Sequence, residues 1–157
     1  MCQPLQSEAR PYQSKILKWL SSHECDDLLV EHSAYTFLAN PITHRRNYTL
    51  NKTKETFQIS DMLLGKGQHR AELYLHFAPD IQVSKQNREQ FMLQHLESGT
   101  QLVLRIDNVE HVYLEDSEIA PRYGVLQQSK RLRAEKIFSN EAQIQLTIST
   151  ELERKSL

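Results

Sequence analysis

Apolar and polar residues alternate along several short stretches of the chain, which is the pattern of strands with one buried face. Leu73, Leu75 and Phe77 alternate with Glu72, Tyr74 and His76. The same period of two recurs at Leu102–Ile106, Ile144–Ile148, Phe57–Ile59 and Tyr48–Leu50. Shorter apolar stretches predict further strands at Leu28–Glu31, Ile81–Val83 and His111–Leu114.

Turn signals separate these stretches. Asn40-Pro41, Ala78-Pro79-Asp80, Ser98-Gly99 and Pro121–Gly124 each interrupt the alternation. Gly65-Lys66-Gly67 lies between two strand patterns and predicts a hairpin, because glycine adopts positive φ freely. Many short strands at this spacing predict an all-β fold, an antiparallel β-sandwich with little helix. We treat residues 1–157 as one domain, which suits the length.

Two stretches fit a helix as well as a strand. Gln86–Leu96 predicts a short helix, since Phe91 and His95 are four residues apart. Ile16, Leu17, Trp19 and Leu20 fit either one face of a helix or a buried strand, because short apolar runs do not distinguish the two. Both alternatives place Trp19 in the core.

Composition narrows the function classes. The chain has 19 basic and 20 acidic residues and a net charge of −1, whereas a nucleic-acid-binding domain has a clear basic excess. No apolar run approaches the ~18 residues of a membrane span, and the first ten residues lack the apolar core of a secretory signal. We therefore expect a soluble chain that binds neither nucleic acid nor membrane. Cys2 and Cys25 fit one disulfide or two free thiols.

Local motifs for chemistry are weak. Seven histidines are present, but without HxH or HExxH spacing, and no CxxC occurs. Arg45 and Arg46, with Lys52 and Lys54 nearby, fit a basic patch for carboxylates or sulfates, or an ordinary solvated strand edge. Three tyrosines near predicted loops fit general bases or half-buried aromatic residues: Tyr12, Tyr35 and Tyr123.

A series of short motifs resembles the heparinase II/III-like proteins. Glu31-His32-Ser33-Ala34-Tyr35 precedes Pro41-Ile42-Thr43-His44-Arg45-Arg46. Ile59–His69, Leu75-His76-Phe77-Ala78-Pro79 and Ala120–Gly124 then follow in the family's order. Each motif alone is short, but together they cover nearly the whole chain. The resemblance implies the C-terminal β-sandwich of a polysaccharide lyase.

The resemblance carries further expectations. Members join an α/α toroid to such a sandwich and cleave uronic-acid polysaccharides by β-elimination, with most catalytic residues in the toroid. Some members hold a structural zinc, and His44 matches a zinc-ligand position. Arg45, Arg46 and Tyr35 are the expected contacts to an acidic polysaccharide.

The toroid has no counterpart in the sequence. We therefore expect a chain that is inactive alone, needs a toroid domain or partner chain, and is periplasmic or secreted if its parent is exported.

Two alternatives stay open. A free-standing carbohydrate-binding domain is one, although a core position for Trp19 argues against an exposed aromatic platform. A structural or interaction domain is the other, since missing early strands would leave a sheet edge open for pairing.

Overall fold

The computed structural model describes residues 13–150, and these form strands and turns without any helix. Accordingly, no helix in this range is long and apolar enough to cross a membrane. The all-β prediction is confirmed. The nine strands are β1 (Ser14–Ser21), β2 (Cys25–His32), β3 (Ile42–Asn51), β4 (Thr56–His76), β5 (Ile81–Lys85), β6 (Gln90–His95), β7 (Gln101–Asp107), β8 (His111–Arg122) and β9 (Val125–Ser149).

All strand pairs are antiparallel, in the order β1-β2-β3-β4-β9-β7-β6-β5, and β8 pairs with β9 outside this path. The two long strands, β4 and β9, pair with each other almost from end to end. The first half of β4 also borders β3, and the second half of β9 also borders β7. The first half of β9 pairs with the second half of β4 on one side and with β8 on the other, so the sheet folds over itself into two layers.

The main core lies between these layers. Ile59, Leu146 and Ile106 are direct neighbours across β4, β9 and β7 in the first layer. They pack in one cluster with Leu132 and Ala134, which come from the first half of β9 in the second layer. Alternate residues of the same strands face away from this cluster, as a period of two requires.

The glycine pair does not form the predicted hairpin. β4 continues from Thr56 to His76, and its pairing with β9 shifts register between Leu64 and Gln68. Gly65 lies where a Cβ would be 2.6 Å from the carbonyl oxygen of Pro41, and Gly67 has φ +87°. The glycines therefore allow a bulge that carries one strand from the first layer into the second.

The predicted helix at Gln86–Leu96 is also wrong. Gln90–His95 form strand β6, paired with β5 and β7. Phe91 is 0% exposed and Leu93 is 8% exposed, and they alternate with Met92 and Gln94. Burial beside Leu104 on β7 decides the conformation, because the i, i+4 spacing of Phe91 and His95 supplies no competing apolar face.

The Ile16–Leu20 run forms edge strand β1, and neither a helix nor a buried strand. Trp19 is 63% exposed, so the prediction that it belongs to the core is wrong. Its neighbours across the sheet are Leu28, Tyr48 and then Ile59, which places it on the core side of the first layer. The second layer begins only at β4, and this side of β1 stays open among the described residues, whereas Ile42 on β3 is buried against Phe138. We call strands β1–β3 the open wing.

Candidate functional site

Pairing between β2, β3 and β4 brings four polar residues together on the core side of the open wing. His32, at the end of β2, is opposite His44 on β3. Arg46, two residues further along β3, is opposite Asp61 on β4. We call these four residues the histidine–aspartate cluster. Their faces follow from the strand period, because positions 44 and 46 project to the same side.

The cluster forms a chain of hydrogen bonds with one direction. The backbone N–H of Ala34 donates to His32 Nδ1 at 3.2 Å, so the ring proton of a neutral His32 is on Nε2. His32 Nε2 donates to His44 Nδ1 at 2.7 Å. His44 Nε2 then donates to Asp61 Oδ1 at 2.6 Å. This assignment satisfies every ring nitrogen of both histidines.

Asp61 ends the chain as a buried carboxylate, with 4% of its surface exposed. Arg46 holds both oxygens, with Nε 2.6 Å from Oδ1 and Nη2 2.8 Å from Oδ2. Burial raises the pKa of Asp61, but the hydrogen bonds from His44 and Arg46 outweigh it and hold the pKa below its usual value. The hydrogen bond to Asp61 raises the pKa of Arg46, so the pair is fully ionised.

A cavity of about 340 Å³ opens in the corner between the open wing and the second half of β4. Tyr35, His44, Arg46 and Asp61 line one wall. The Tyr35 ring packs edge-on against His32, with centroids 5.3 Å apart, and is 45% exposed. Two of the predicted substrate contacts, Tyr35 and Arg46, therefore lie beside the predicted metal ligand His44.

The opposite wall of the cavity carries Arg70, Glu72 and Tyr74. The Tyr74 hydroxyl donates to Glu72 Oε2 at 2.8 Å, and this hydrogen bond raises the pKa of Tyr74. Arg131 lies over the Tyr74 ring at 5.3 Å. Tyr74 is therefore held as a neutral phenol and is a poor general base.

Arg45 faces the other way. It is adjacent to Arg46 on β3, so its side chain projects to the outer side of the sheet, where Nε donates to Glu31 Oε2 at 2.8 Å. Lys52 binds Asp26 Oδ1 at 2.8 Å at the far end of the wing. The structure thus separates Arg45, Arg46 and Lys52 instead of bringing them into one patch.

The remaining sequence candidates lie apart from the cavity's Tyr35 wall. The basic side chains of β9 are also paired, each with a carboxylate of β8 or of the preceding loop: Lys130, Arg131, Arg133 and Lys136. Tyr123 is fully exposed in the β8–β9 turn. Tyr12 and Cys2 lie outside the described residues, and the Cys25 thiol is free.

The cluster does not fit a zinc ion. A metal needs its ligands to converge on one point, but the two ring nitrogens of His44 face different partners, His32 and Asp61. Arg46 already occupies both Asp61 oxygens. Within residues 13–150, no group of three or more His, Cys, Asp or Glu is arranged to hold a metal.

Sequence reasoning did not select His32 and Asp61 as site residues. Their contacts with His44 join positions 12 and 17 residues apart. A predicted hairpin of β2 and β3 would have identified the His32–His44 contact, because positions 32 and 44 are equidistant from residue 38 in the connecting loop. Asp61 has no comparable local signal, because it follows only from the register of β4.

Protonation of His32 makes stability depend on pH. Burial lowers the pKa of His32, and the neighbouring His44 and Arg46 lower it further, below the ordinary 6.5. As the pH falls below about 6.5, the unfolded chain takes up a proton at this position before the folded chain does. The free energy of unfolding should therefore fall over this range and level off once the folded pKa is passed.

Urea unfolding at a series of pH values from about 7.5 to 5 measures this loss. His32→Gln should flatten the slope. His23→Gln is the matched control, because the His23 side chain is 90% exposed. An equal slope in the wild type and His32→Gln would contradict the assignment.

Comparison with known proteins places these features in a family. Residues 12–152 match the family model described as heparinase II/III-like, C-terminal. No curated protein matches the chain significantly.

Among solved structures, a heparinase III gene product superposes with a TM-score of 0.73 and 16% identity, over 87% of this chain and 21% of its own. The heparan sulfate lyase HepC from Pedobacter heparinus gives 0.72 and 15%, with the same coverage. The chain thus spans about a fifth of the length of these structures, and the likeness shows the fold. Because the family model covers nearly the whole sequence, this chain belongs to the heparinase II/III-like C-terminal family.

Proposed function

We propose that the chain is the C-terminal β-sandwich part of a polysaccharide lyase-like protein that acts on uronic-acid-containing glycans, and that it does not cleave them alone. Family membership supports the first half of this proposal. The two structural neighbours are a heparinase III and a heparan sulfate lyase, each about five times longer than the matched segment. Four fifths of such a protein lies outside the part that this chain resembles.

The proposal that the chain does not cleave glycans alone rests on the hydrogen bonds within the histidine–aspartate cluster, which already engage its side chains. β-Elimination needs a base, a group that neutralises the substrate carboxylate and a positioned leaving group at one place. Both nitrogens of His32 and of His44 have partners, and Asp61 holds Arg46. Tyr74 is bound to Glu72. Among the described residues, the cavity therefore offers the Tyr35 hydroxyl, the second ring nitrogen of His69 and parts of the Arg46 and Arg70 guanidinium groups. We expect this set to be insufficient without the other wall of the substrate cleft.

A role in substrate contact remains with Tyr35 and Arg46 in this proposal. Both border the same cavity, and the Arg46 side chain keeps 33% of its surface accessible although it is paired. A glycan carboxylate or sulfate could share its outer edge. Arg45 would contact a different stretch of the glycan, because it lies on the opposite face of β3.

The open wing supports a partner domain. On the core side of β1, Ile16 is 67% exposed and Trp19 is 63% exposed. Apolar side chains of this size, exposed together, mark protein interfaces more often than solvated surface. We place the α/α toroid here, in the same polypeptide or in a partner chain. A protein that degrades extracellular glycans in this way would be periplasmic or secreted.

An ultraviolet assay for unsaturated uronate tests the proposal. The purified chain should release no product from heparin, heparan sulfate or alginate. Product should form when a heparinase II/III-like toroid is added in trans, and Trp19→Ala should weaken this gain because it removes the wing's largest apolar contact.

Leu126→Ala is the control, since Leu126 is 70% exposed on β9, away from the open wing. Product from the pure chain would show that it carries a complete site, and Tyr35→Phe and Arg46→Ala would then be the first variants to assay. If no added toroid produced cleavage and none changed the fluorescence of Trp19, the proposal that the open wing binds a toroid would be refuted.

The exposed Trp19 also favours a second candidate, a free-standing carbohydrate-binding domain. Trp19 and Tyr48 are both opposite Leu28 in the sheet, so they lie on the same face of the open wing. Arg46 lies over the Tyr48 ring. Aromatic rings of this kind stack on sugar faces. Because Trp19 is the single tryptophan of the chain, its fluorescence reports on this surface directly. A saturable change on titration with acidic oligosaccharides, without any toroid, would favour this candidate over a docking face.

A further inference from the structure

A groove of about 670 Å³ crosses the outer side of the first layer, on the face opposite to the core and to Trp19. Its floor comes from alternate residues of β7 and β9. Arg105 is opposite Thr147 and Asp107 is opposite Gln145, whereas the residues between them, Ile106 and Leu146, point into the core. The groove therefore lies far from the histidine–aspartate cluster, with the thickness of the sheet between them.

The groove is polar and balanced in charge. Hydroxyl and amide side chains supply most of its lining, including Thr56, Gln90, Gln145 and Thr147. Its two cationic and two acidic residues cancel, and Arg105 Nε binds Asp107 Oδ1 at 2.8 Å. The outer face of the second layer is different, because rows of paired arginine and glutamate cover it.

The lining groups are held in a concave surface and still have hydrogen-bonding capacity. Gln145 and Thr147 are only half-exposed, although they are on the outer face. Neither side chain has a hydrogen-bond partner among residues 13–150, while Gln143, one step further along β9, donates to Ser60 Oγ at 2.8 Å. A half-buried amide without a partner gains most from a ligand that restores both a donor and an acceptor.

The β3–β4 turn forms a rim above this floor. Asn51 Oδ1 accepts a hydrogen bond from the Lys54 backbone N–H at 2.8 Å, and Glu55 adopts φ +50° at the tip. Thr150 Oγ1 donates to Glu55 Oε2 at 3.4 Å and ties the tip to the end of β9. The rim is therefore fixed before a ligand arrives, which lowers the cost of binding.

We propose that this groove binds a neutral saccharide segment. Sugar hydroxyls are donors and acceptors at once, so they match adjacent amide and hydroxyl side chains. The balanced charge selects against a polyuronate, which would meet Glu55 and Asp107 without a surplus of cations. The groove would thus hold a part of a glycan chain, or of a different glycan, that carries no acid. This assignment does not depend on lyase activity.

Two-dimensional NMR of the whole chain tests the proposal with defined oligosaccharides. Cellotetraose and maltotetraose are the neutral probes, and tetragalacturonate is the acidic one. At least one neutral probe should shift the amide signals of β7, the end of β9 and the β3–β4 turn in a saturable way, with Trp19 fluorescence unchanged. Tetragalacturonate should bind this groove more weakly.

Variants on one strand make the test specific. Gln145→Ala and Thr147→Val should each weaken neutral binding about 3- to 10-fold, the loss expected for one or two hydrogen bonds. Gln143→Ala is the matched control, because Gln143 is on the same face of β9 but outside the groove, and it should bind as the wild type does.

Three results would overturn the assignment: no saturable shift with either neutral probe, equal effects of Gln145→Ala and Gln143→Ala, or preference for tetragalacturonate. Shifts of these signals only on addition of a toroid protein would instead identify the groove as a domain interface. The lyase assay can fail while neutral binding succeeds, so the two proposals are tested separately.

Discussion

Asp61→Asn should lower the free energy of unfolding by about 3 kcal/mol, the lower end of the range for a broken buried ion pair. Asparagine keeps the size of aspartate but removes the charge that faces Arg46 and turns one acceptor into a donor. The remaining carbonyl oxygen still accepts from His44 Nε2 and Arg46 Nε, but the new amide N–H group then faces the Arg46 Nη2 donor, in a site where the side chain at position 61 is 5% exposed. The cost stays near the lower end because the Arg46 side chain keeps 33% of its surface accessible to water.

Urea denaturation at neutral pH measures this change, with Asp116→Asn as control. Asp116 also pairs with a cation, Lys130, but its side chain is 84% exposed, and exposed pairs contribute about 1 kcal/mol or less. A loss below about 1 kcal/mol for Asp61→Asn would contradict the view that the cluster holds β2, β3 and β4 together.

Phe91→Ala should be at least as damaging, with a loss of about 3–5 kcal/mol. Phe91 is 0% exposed and lies in the main core, beside Leu104 on the neighbouring strand. Truncation removes apolar contact and leaves a cavity that two long, paired strands cannot close by a small shift. Since domains of this size are stable by about 5–15 kcal/mol, much of the population should unfold at mild urea concentrations.

Phe37→Ala is the matched control for this variant. Phe37 is 58% exposed in the loop between β2 and β3, so the same truncation there removes little buried surface and should cost under about 1 kcal/mol. Equal midpoints for the two variants would show that the packing around Phe91 is looser than its burial indicates.

The strands were predictable where one face of the strand is buried and the other is exposed to solvent. Ile106, Ile144 and Leu146 alternate with polar residues, and all three are buried. That alternation follows from local geometry, so the sequence displays it directly. The family motifs added the order of the elements, and the family match confirms the resemblance.

Other features depended on contacts that the sequence does not display. The Ile16–Leu20 run is as apolar as a core strand, but apolarity does not reveal whether another layer covers it. Gly65 and Gly67 signal backbone freedom, which suits a hairpin and a bulge equally. Phe91 and His95 have helical spacing, yet burial against β7 gives them strand geometry.

The candidate site was predictable in part. Tyr35, His44 and Arg46 were selected from the sequence, and the structure places them at one cavity. Arg45 was selected with them but faces the other way, because adjacent strand positions alternate. His32 and Asp61 were missed, since each meets His44 only through pairing of separate strands. The contact of Tyr35, Arg45 and Arg46 with substrate stays a prediction.

The position of β9 in the sequence determines when the domain can fold during synthesis. β9 is the last described strand, and it is the partner of β4, β7 and β8. Until the ribosome has released residues 125–149, these three strands lack a neighbour and expose open edges. The two layers therefore cannot close until this segment has been synthesised, and the strand edges that stay open until then favour aggregation of the nascent chain. A stop codon at the start of β9 removes support from both layers at once, whereas one after residue 140 removes only the strand between β4 and β7.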